Sequence, residues 1–306
     1  MSHEKGVSMH PFAEYYKESY CITTSFEKMF EQSIFCLNTS NSMHWNEIFY
    51  KALQNFLYNK GIIDDPNVDL KYLHERVDNK YFDFNTVGNQ NNSRPIISDV
   101  AFDFLNFENN LYLDFLIWIR KNVIKQNFYF QKVPTIRFHI PGVQRNLTLP
   151  AWHSDSFLGH SPKEINFWFG LTNNNKSDFW VHDLADSKKW FSEFDYDISE
   201  WRKKCFSGNE EFMAKGFVDA KEIRDIYNTI TIFDSRCIHA ANYRSDRDYT
   251  TKITIDLRVI LVEDYEWKLI DGVPVFIGQG IKKAEFKPGG KFGYNLKSIE
   301  EIMNEQ

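Results

Sequence analysis

The chain has 306 residues, of which 42% are hydrophobic and 17% aromatic, a composition typical of a globular protein with a sizeable core. The net charge is −6 and no long run of Lys and Arg is present, which argues against nucleic-acid binding through a basic face. No segment reaches the about 18 consecutive apolar residues of a membrane span, and the first residues lack the apolar run of a signal peptide, so we expect a cytoplasmic protein. The four cysteines are scattered without a C-x-x-C pair, which predicts reduced thiols.

The first part of the chain predicts amphipathic helices. Within residues 12–61, apolar residues recur at intervals of three and four in FEKMFEQSIF and in WNEIFYKALQNFLYNKG, and the second helix should end at Gly61. Residues 62–98 are rich in turn-forming residues and predict loops, with one short helix near Tyr72–Val77. Residues 100–125 predict a further helix.

From residue 134 the pattern changes to short segments in which apolar and polar residues alternate. TIRFHI, EINFWFGLT, YNTITIFD and TKITIDLRVILV are rich in β-branched and aromatic residues, which predicts strands. A helical insert at about residues 186–226 interrupts them, and strands such as VPVFIG and turns such as KPGGKFG follow. We therefore predict one α+β domain over residues 1–306, with helices packed on an antiparallel β core.

The segment WHSDS places a histidine and a carboxylate two residues apart. In an extended chain His153 and Asp155 point to the same side, which suits two ligands of one ion. Nine His and 42 Asp and Glu residues predict about one such match by chance, and one is present, so a histidine that only hydrogen-bonds its neighbour also fits. A third ligand strengthens the metal hypothesis: His239 directly follows a predicted strand.

Two histidines and one carboxylate are the ligands of the facial triad of non-haem Fe(II) oxygenases, which leaves coordination positions open. A keto acid such as 2-oxoglutarate and O₂ can bind at those positions. The far carboxylate of the keto acid then needs a cation, and Arg258 is the first candidate because a guanidinium binds a carboxylate through two hydrogen bonds. Arg258 could instead pair with Asp256 on the same strand face, and Lys252 is the second candidate anchor.

Four motifs carry a family resemblance: PTIRFHIPG, AWHSDSFLGHSPKEINFWFGLT, HAANYR and TKITIDLRVI. They resemble Fe(II)/2-oxoglutarate-dependent oxygenases, particularly the hydroxylase-like subgroup associated with the biosynthesis of streptomycin and other aminoglycosides, within the phytanoyl-CoA-hydroxylase-like superfamily. The match covers about residues 134–172 and 230–262. The resemblance implies a double-stranded β-helix of the jelly-roll or cupin type over residues 131–285, helices that support and cover it over residues 1–130, and a C-terminal tail over residues 286–306.

The resemblance also implies roles for individual residues. His153, Asp155 and His239 would bind Fe(II), and Arg258 would bind 2-oxoglutarate. The other implied site residues are Asn166, Lys252 and Arg137 near the cofactor, and His160, Ser156 and Trp168 near the substrate. Lys252 stands where the subgroup has an arginine, which leaves open which cation anchors the keto acid. The carboxylate of Asp155 favours hydroxylation or another oxidative outcome, because halogenating relatives carry a small residue there.

The expected reaction is oxidation of a C–H bond in a small polar metabolite, coupled to oxidative decarboxylation of 2-oxoglutarate with O₂. The helices of residues 1–130 and the insert would form the lid. We expect no nucleic-acid or membrane partner, and the oligomeric state stays open. Two alternatives remain at this point: a cupin-like metal-dependent isomerase or epimerase that does not use 2-oxoglutarate, and a non-catalytic β-sandwich binding protein.

Overall fold

The structure is a computed structural model that describes residues 13–39, 43–82, 84–87, 90–107, 109–141, 152–158, 160–172, 179–223, 228–241, 249–265, 269–270, 273–274 and 294–305. The helices are α1 (Ala13–Ser19), α2 (Ser25–Phe30), α3 (Trp45–Asn59), α4 (Leu73–Arg76), α5 (Ile96–Phe107), α6 (Asn109–Ile119), α7 (Leu184–Ser192), α8 (Ile198–Phe206), α9 (Glu210–Gly216) and α10 (Ile299–Met303). Within the described ranges, no helix has both the length and the apolar character needed to cross a membrane.

The strands form antiparallel sheets. They are β1 (Ile34–Asn38), β2 (Phe84–Val87), β3 (Gln90–Pro95), β4 (Phe128–Phe130), β5 (Thr135–His139), β6 (Ile165–Gly170), β7 (Phe179–Val181), β8 (Lys221–Ile223), β9 (Thr229–Asp234), β10 (His239–Ala241), β11 (Lys252–Leu261), β12 (Leu269–Ile270) and β13 (Val273–Pro274). The large sheet has the order β1-β9-β6-β11-β4, and β5 also pairs with β11. A second sheet has the order β10-β7-β8, and β2-β3 and β12-β13 are two-stranded. Antiparallel sheets with helices confirm the predicted α+β class.

The two faces of the large sheet differ in polarity. On β11, the side chains of Ile253, Ile255, Leu257 and Val259 are buried in the main apolar cluster, which also contains residues of α3, α5 and α6. The alternate residues of β11 are Lys252, Thr254, Asp256 and Arg258, as the alternation predicted. This second face lies toward the smaller sheet, because Trp168 of β6 stacks on Phe179 of β7 with ring centroids 4.8 Å apart. The sheets therefore enclose a face that carries charged side chains.

One predicted helix is partly a strand. The segment FEKMFEQSIF was expected to be helical throughout, but α2 ends at Phe30 and Ile34–Asn38 forms β1. Glu31 adopts a left-handed conformation with φ 53°, and its N–H donates to the carbonyl of Glu27, which ends the helix. Beyond it, β1 pairs with β9 over its whole length. This long-range pairing overrides the local helical periodicity.

The other predicted elements are largely present. The helix that ends before Gly61, the short helix near residues 72–77 and the four core strands all form. The described residues of the region 100–125 lie mainly in α5, α6 and a π-helical turn at Arg120–Ile124. The insert contains α7, α8 and α9 but ends in β8, a strand that pairs with β7 and was not predicted. Of the predicted strand VPVFIG only residues 273–274 are described, and the turn KPGGKFG lies outside the described residues.

Candidate metal centre

Two of the predicted ligands are fixed by backbone pairing. The N–H of His153 donates to the carbonyl of His239 at 3.0 Å, and the N–H of His239 donates to the carbonyl of His153 at 2.8 Å. This isolated antiparallel bridge places the imidazole centroids 4.5 Å apart. His239 begins β10, so the smaller sheet positions both histidines although they are far apart in sequence.

Asp155 does not continue an extended strand, as its spacing from His153 suggested. It begins a 3₁₀ turn, Asp155–Leu158. The N–H groups of Asp155 and Ser156 donate to the carbonyl of Ser235 at 3.1 and 3.4 Å, and Ser235 lies between β9 and β10. The segment before His239 therefore holds the turn in place.

The three predicted ligands come together. One ligand atom each from His153, Asp155 and His239 lies within 4.8 Å of the other two. Asp155 and His239 are buried, and His153 is half-buried. Two imidazoles and one carboxylate match the ligand chemistry of a divalent iron site with open positions. The donor set therefore fits such an ion.

The protonation states also fit metal binding. Burial raises the pKa of Asp155, but the nearby Arg258, His239 and His160 outweigh this effect and hold that pKa well below its usual value. Burial lowers the pKa of His239, although Asp155 partly opposes the change. Both shifts favour the carboxylate and the neutral imidazole, which are the forms that bind metal ions.

Two side chains from the large sheet converge on Asp155. Arg258 Nε donates to Asp155 Oδ2 at 3.0 Å, and Asn166 Nδ2 donates to the same oxygen at 2.8 Å. Arg258 and Asn166 stand directly opposite each other in the register of β11 and β6. The large sheet thus contacts the 3₁₀ turn that carries Asp155 through two hydrogen bonds, both to Oδ2 of Asp155.

The guanidinium of Arg258 is surrounded by acceptors. Its Nη1 donates to Gln131 Oε1 at 3.3 Å and lies 3.5 Å from Asp256 Oδ1. Its Nε also lies 3.9 Å from Glu164 Oε2. Arg258 thus faces three carboxylates: Asp155, Asp256 and Glu164. The predicted contact with Asp256 is present, but it is one of three.

The second candidate anchor lies near the other end of β11. Lys252 is buried, and its Nζ is 5.4 Å from the ring centroid of Trp168. Thr254 is on the same strand face, and its buried hydroxyl has no hydrogen-bond partner among the described residues. Trp168 stacks on Phe179, whose ring lies 5.5 Å from that of His239. These aromatic rings therefore connect the region of Lys252 with the metal-ligand cluster.

The remaining predicted residues have definite partners. Arg137 Nε donates to Asp256 Oδ2 at 2.6 Å. His160 Nδ1 lies 3.1 Å from Glu164 Oε2, and the N–H of His160 donates to the carbonyl of Asp155 at 3.3 Å. The hydroxyl of Ser156 is buried and hydrogen-bonds that of Ser154 at 2.7 Å. Ser156 is thus directed into the turn.

Several residues of this site were not predicted from the sequence. Glu164 contacts both His160 and Arg258, and Phe233 packs 5.3 Å from the ring of His239. Glu164 is the first residue of the predicted strand EINFWFGLT, which also contains Asn166, so the sequence placed a carboxylate two residues from a predicted site residue. Gln131 carried no comparable signal, because its contact with Arg258 follows from the pairing of β4 with β11.

Comparison with known proteins gives one short sequence match. No known family profile matches the chain. The streptomycin biosynthesis protein StrG of Streptomyces griseus is 39% identical over 44 residues, which is 14% of this chain. The match spans about a fifth, 21%, of the length of that relative. It confirms the streptomycin-associated resemblance predicted from the sequence.

Several solved structures are distantly similar. EctD from S. alaskensis with bound Fe is 13% identical with a TM-score of 0.42, covering 84% of this chain and 82% of that one. The non-haem α-ketoglutarate-dependent carbocyclase SnoK from nogalamycin biosynthesis is 10% identical with a TM-score of 0.35, covering 79% and 85%. A prolyl hydroxylase from Trichoplax adhaerens is 9% identical with a TM-score of 0.37, covering 82% and 93%.

Proposed function

We propose that the protein is an Fe(II)/2-oxoglutarate-dependent oxygenase. The observation that carries this proposal is the convergence of His153, Asp155 and His239 within 4.8 Å, next to an enclosed sheet face that bears cations. Two antiparallel sheets in contact through their aromatic side chains support a double-stranded β-helix as the core. Residues 1–306 would then form a single oxygenase domain.

In this function His153, Asp155 and His239 hold Fe(II) and leave positions for the keto acid and O₂. When bound, the iron supplies the coupling of oxidative decarboxylation of 2-oxoglutarate, to succinate and CO₂, with oxidation of a substrate C–H bond. The protein keeps Asp155 ionised and His239 neutral. It also encloses the site between the sheets, which limits the access of water.

We assign the far carboxylate of 2-oxoglutarate to Lys252 and Thr254. Arg258 is already in contact with Asp155, Asp256 and Glu164, and a further anion would be repelled by these three carboxylates. Lys252 is a buried ammonium beside Trp168, toward the other end of the same strand face, and the hydroxyl of Thr254 can donate a second hydrogen bond. The keto acid would then extend from the metal ligands past Trp168 toward the start of β11.

The substrate proposed is a small polar metabolite of natural-product biosynthesis. The short match to the streptomycin protein supports this class, and the net charge of −6 suits a cationic compound. His160, whose Nδ1 lies 3.1 Å from Glu164 Oε2, would contact the substrate in this function. The carboxylate of Asp155 occupies the position that a halide would need, which favours hydroxylation, desaturation or ring closure.

An anaerobic titration of the metal-free protein with Fe(II) and then 2-oxoglutarate tests the proposal. We expect a weak visible charge-transfer band that requires both additions and is absent from His153→Ala. Lys252→Met should raise the 2-oxoglutarate concentration that gives half of the maximal band by roughly 10- to 100-fold, as expected for the loss of a charge-assisted hydrogen bond. Lys188→Met, which removes a lysine from the insert, is the control and should titrate like the wild type.

Other outcomes would replace the proposal. If Fe(II) binds and 2-oxoglutarate produces no band, a cupin-like isomerase or epimerase is the better assignment. If neither binds, the histidines are structural and the protein is a binding module. If the band forms and Lys252→Met matches the wild type, the anchoring role returns to Arg258.

A further inference from the structure

The carboxylate of Asp155 is held asymmetrically. Among the described residues, both of its side-chain hydrogen bonds fall on Oδ2, from Arg258 Nε at 3.0 Å and from Asn166 Nδ2 at 2.8 Å. An oxygen that accepts two hydrogen bonds has little capacity left for a cation. The other oxygen, Oδ1, remains available to one.

The two donors are themselves fixed. Arg258 and Asn166 are a directly opposed pair on β11 and β6, and both are buried. Gln131 holds the arginine from a second direction, since its N–H donates to the Arg258 carbonyl at 2.8 Å and its Oε1 accepts from Nη1. Asp155, in contrast, lies on a short 3₁₀ turn. The rigid sheet therefore determines the orientation of a ligand carried by a loop segment.

We infer that Arg258 and Asn166 are positioning residues that present Asp155 to the metal through Oδ1 alone. This inference rests on the metal centre of the proposed function. A carboxylate that used both oxygens would occupy two positions on the ion, whereas one oxygen leaves an additional position for the keto acid or O₂. The pair thus keeps the coordination sphere open.

Cobalt(II) titration of the metal-free protein tests this inference without requiring turnover. Asn166→Ala removes a neutral donor, and Arg258→Lys keeps the positive charge but removes the fixed Nε donor. We expect each to weaken Co(II) binding by about 10- to 100-fold, the usual effect of losing a partner of a metal ligand. We also expect the visible Co(II) absorption to change in energy and intensity, because the coordination number changes.

The matched control is Asn46→Ala. Asn46 is also a buried asparagine, but its Nδ2 donates to the carbonyl of Gly170 at 2.7 Å and does not contact Asp155. Its loss should lower the free energy of unfolding and leave Co(II) affinity and absorption unchanged. If Asn166→Ala and Arg258→Lys, folded by near-ultraviolet circular dichroism, bind Co(II) like the wild type with the same spectrum, the inference is wrong. If the wild type itself binds no metal, the proposed function fails instead.

Discussion

His153 and His239 hold each other through two backbone hydrogen bonds, and their imidazoles lie 4.5 Å apart as a result. Main-chain pairing therefore fixes the separation of the two residues, and their side-chain torsions then place the two rings beside each other. A metal ion that binds them joins the segment before the 3₁₀ turn to the start of β10. Binding should stabilise the folded state, because the unfolded chain has no such site.

The first prediction concerns this stabilisation. At a Co(II) concentration of a hundred times Kd, the folded state should gain about 2.7 kcal/mol, which raises Tm by roughly 5 °C in a protein of this size. His239→Ala should fold but show no such rise. His74→Ala is the control, since the ring of His74 contacts the hydroxyl of Thr251 at 2.9 Å and neither residue belongs to the metal-ligand cluster. Scanning calorimetry with and without Co(II) measures the Tm of the wild type and of each variant. A rise in the Tm of His239→Ala equal to that of the wild type would contradict the metal assignment.

A second prediction concerns Arg236, which is completely buried. Its Nε and Nη2 donate to Asp234 at 2.8 and 2.7 Å, and Nη2 also donates to Glu27 at 2.7 Å. Arg236→Met leaves the buried carboxylate of Asp234 without its partner, so we expect a loss of about 3–5 kcal/mol in the free energy of unfolding. Urea denaturation measures this loss.

The control for Arg236 is Lys203→Met, which removes a solvent-exposed partner of Glu200. Its unfolding midpoint should stay close to that of the wild type, because exposed ion pairs contribute little. Arg236 also donates to the carbonyls of Ser19, at the end of α1, and of Ile22, between α1 and α2, at 2.9 Å each, and so connects this part of the chain to the segment before His239. Equal midpoints for the two variants would show that the buried network does not stabilise the fold.

A third prediction follows from the pKa of Glu27. Burial raises this pKa, but the N–H of Thr24 and the guanidinium of Arg236 lower it more, so the folded-state pKa lies below the usual value of 4.5. The stabilisation is therefore complete above the unfolded-state pKa and is lost as the pH falls through the folded-state pKa. Glu27→Gln should be less stable than the wild type at pH 7, and this difference should shrink as the pH drops below about 4.5.

Urea denaturation from pH 7 to pH 3 measures the difference. The control is Glu14→Gln, which alters an exposed i,i+3 pair with Lys17 and should differ little in stability from the wild type. If the difference in stability between Glu27→Gln and the wild type grew toward low pH, the lowered folded-state pKa of Glu27 would be contradicted.

The parts of the fold that could be predicted from sequence are those with a local signal. Strand β11 was predicted with the correct faces because its apolar and polar residues alternate. In β1, the segment Ile34–Asn38 continues the periodicity of the preceding helix, and only its pairing with β9 makes it a strand. Strand β8 likewise depends on its pairing with β7. Such long-range contacts leave little trace in a short segment.

The same distinction applies to the site. His153, Asp155 and His239 could be named because their residue types and order carry the chemistry. The contact of Arg258 with Asp155 spans 103 residues and depends on the register that opposes Arg258 to Asn166. A shift of one residue would turn either side chain to the other face of the sheet. The sequence therefore predicted both residues near the cofactor without predicting that they hold the carboxylate of Asp155.

The last prediction concerns Gly216, at the end of α9. A Cβ at this position would overlap the indole ring of Trp152, which is buried and directly precedes His153. Gly216→Ala should lower the free energy of unfolding by about 1–3 kcal/mol through overpacking, and should alter the near-ultraviolet circular dichroism of the tryptophans. It should also weaken Co(II) binding, because displacement of Trp152 moves the backbone of His153.

Gly208→Ala is the control: its φ of 66° makes alanine unfavourable by roughly 1 kcal/mol, but no atom lies within 4 Å of the added Cβ. Unchanged tryptophan dichroism and Co(II) affinity in Gly216→Ala would mean that the insert does not position the metal ligand.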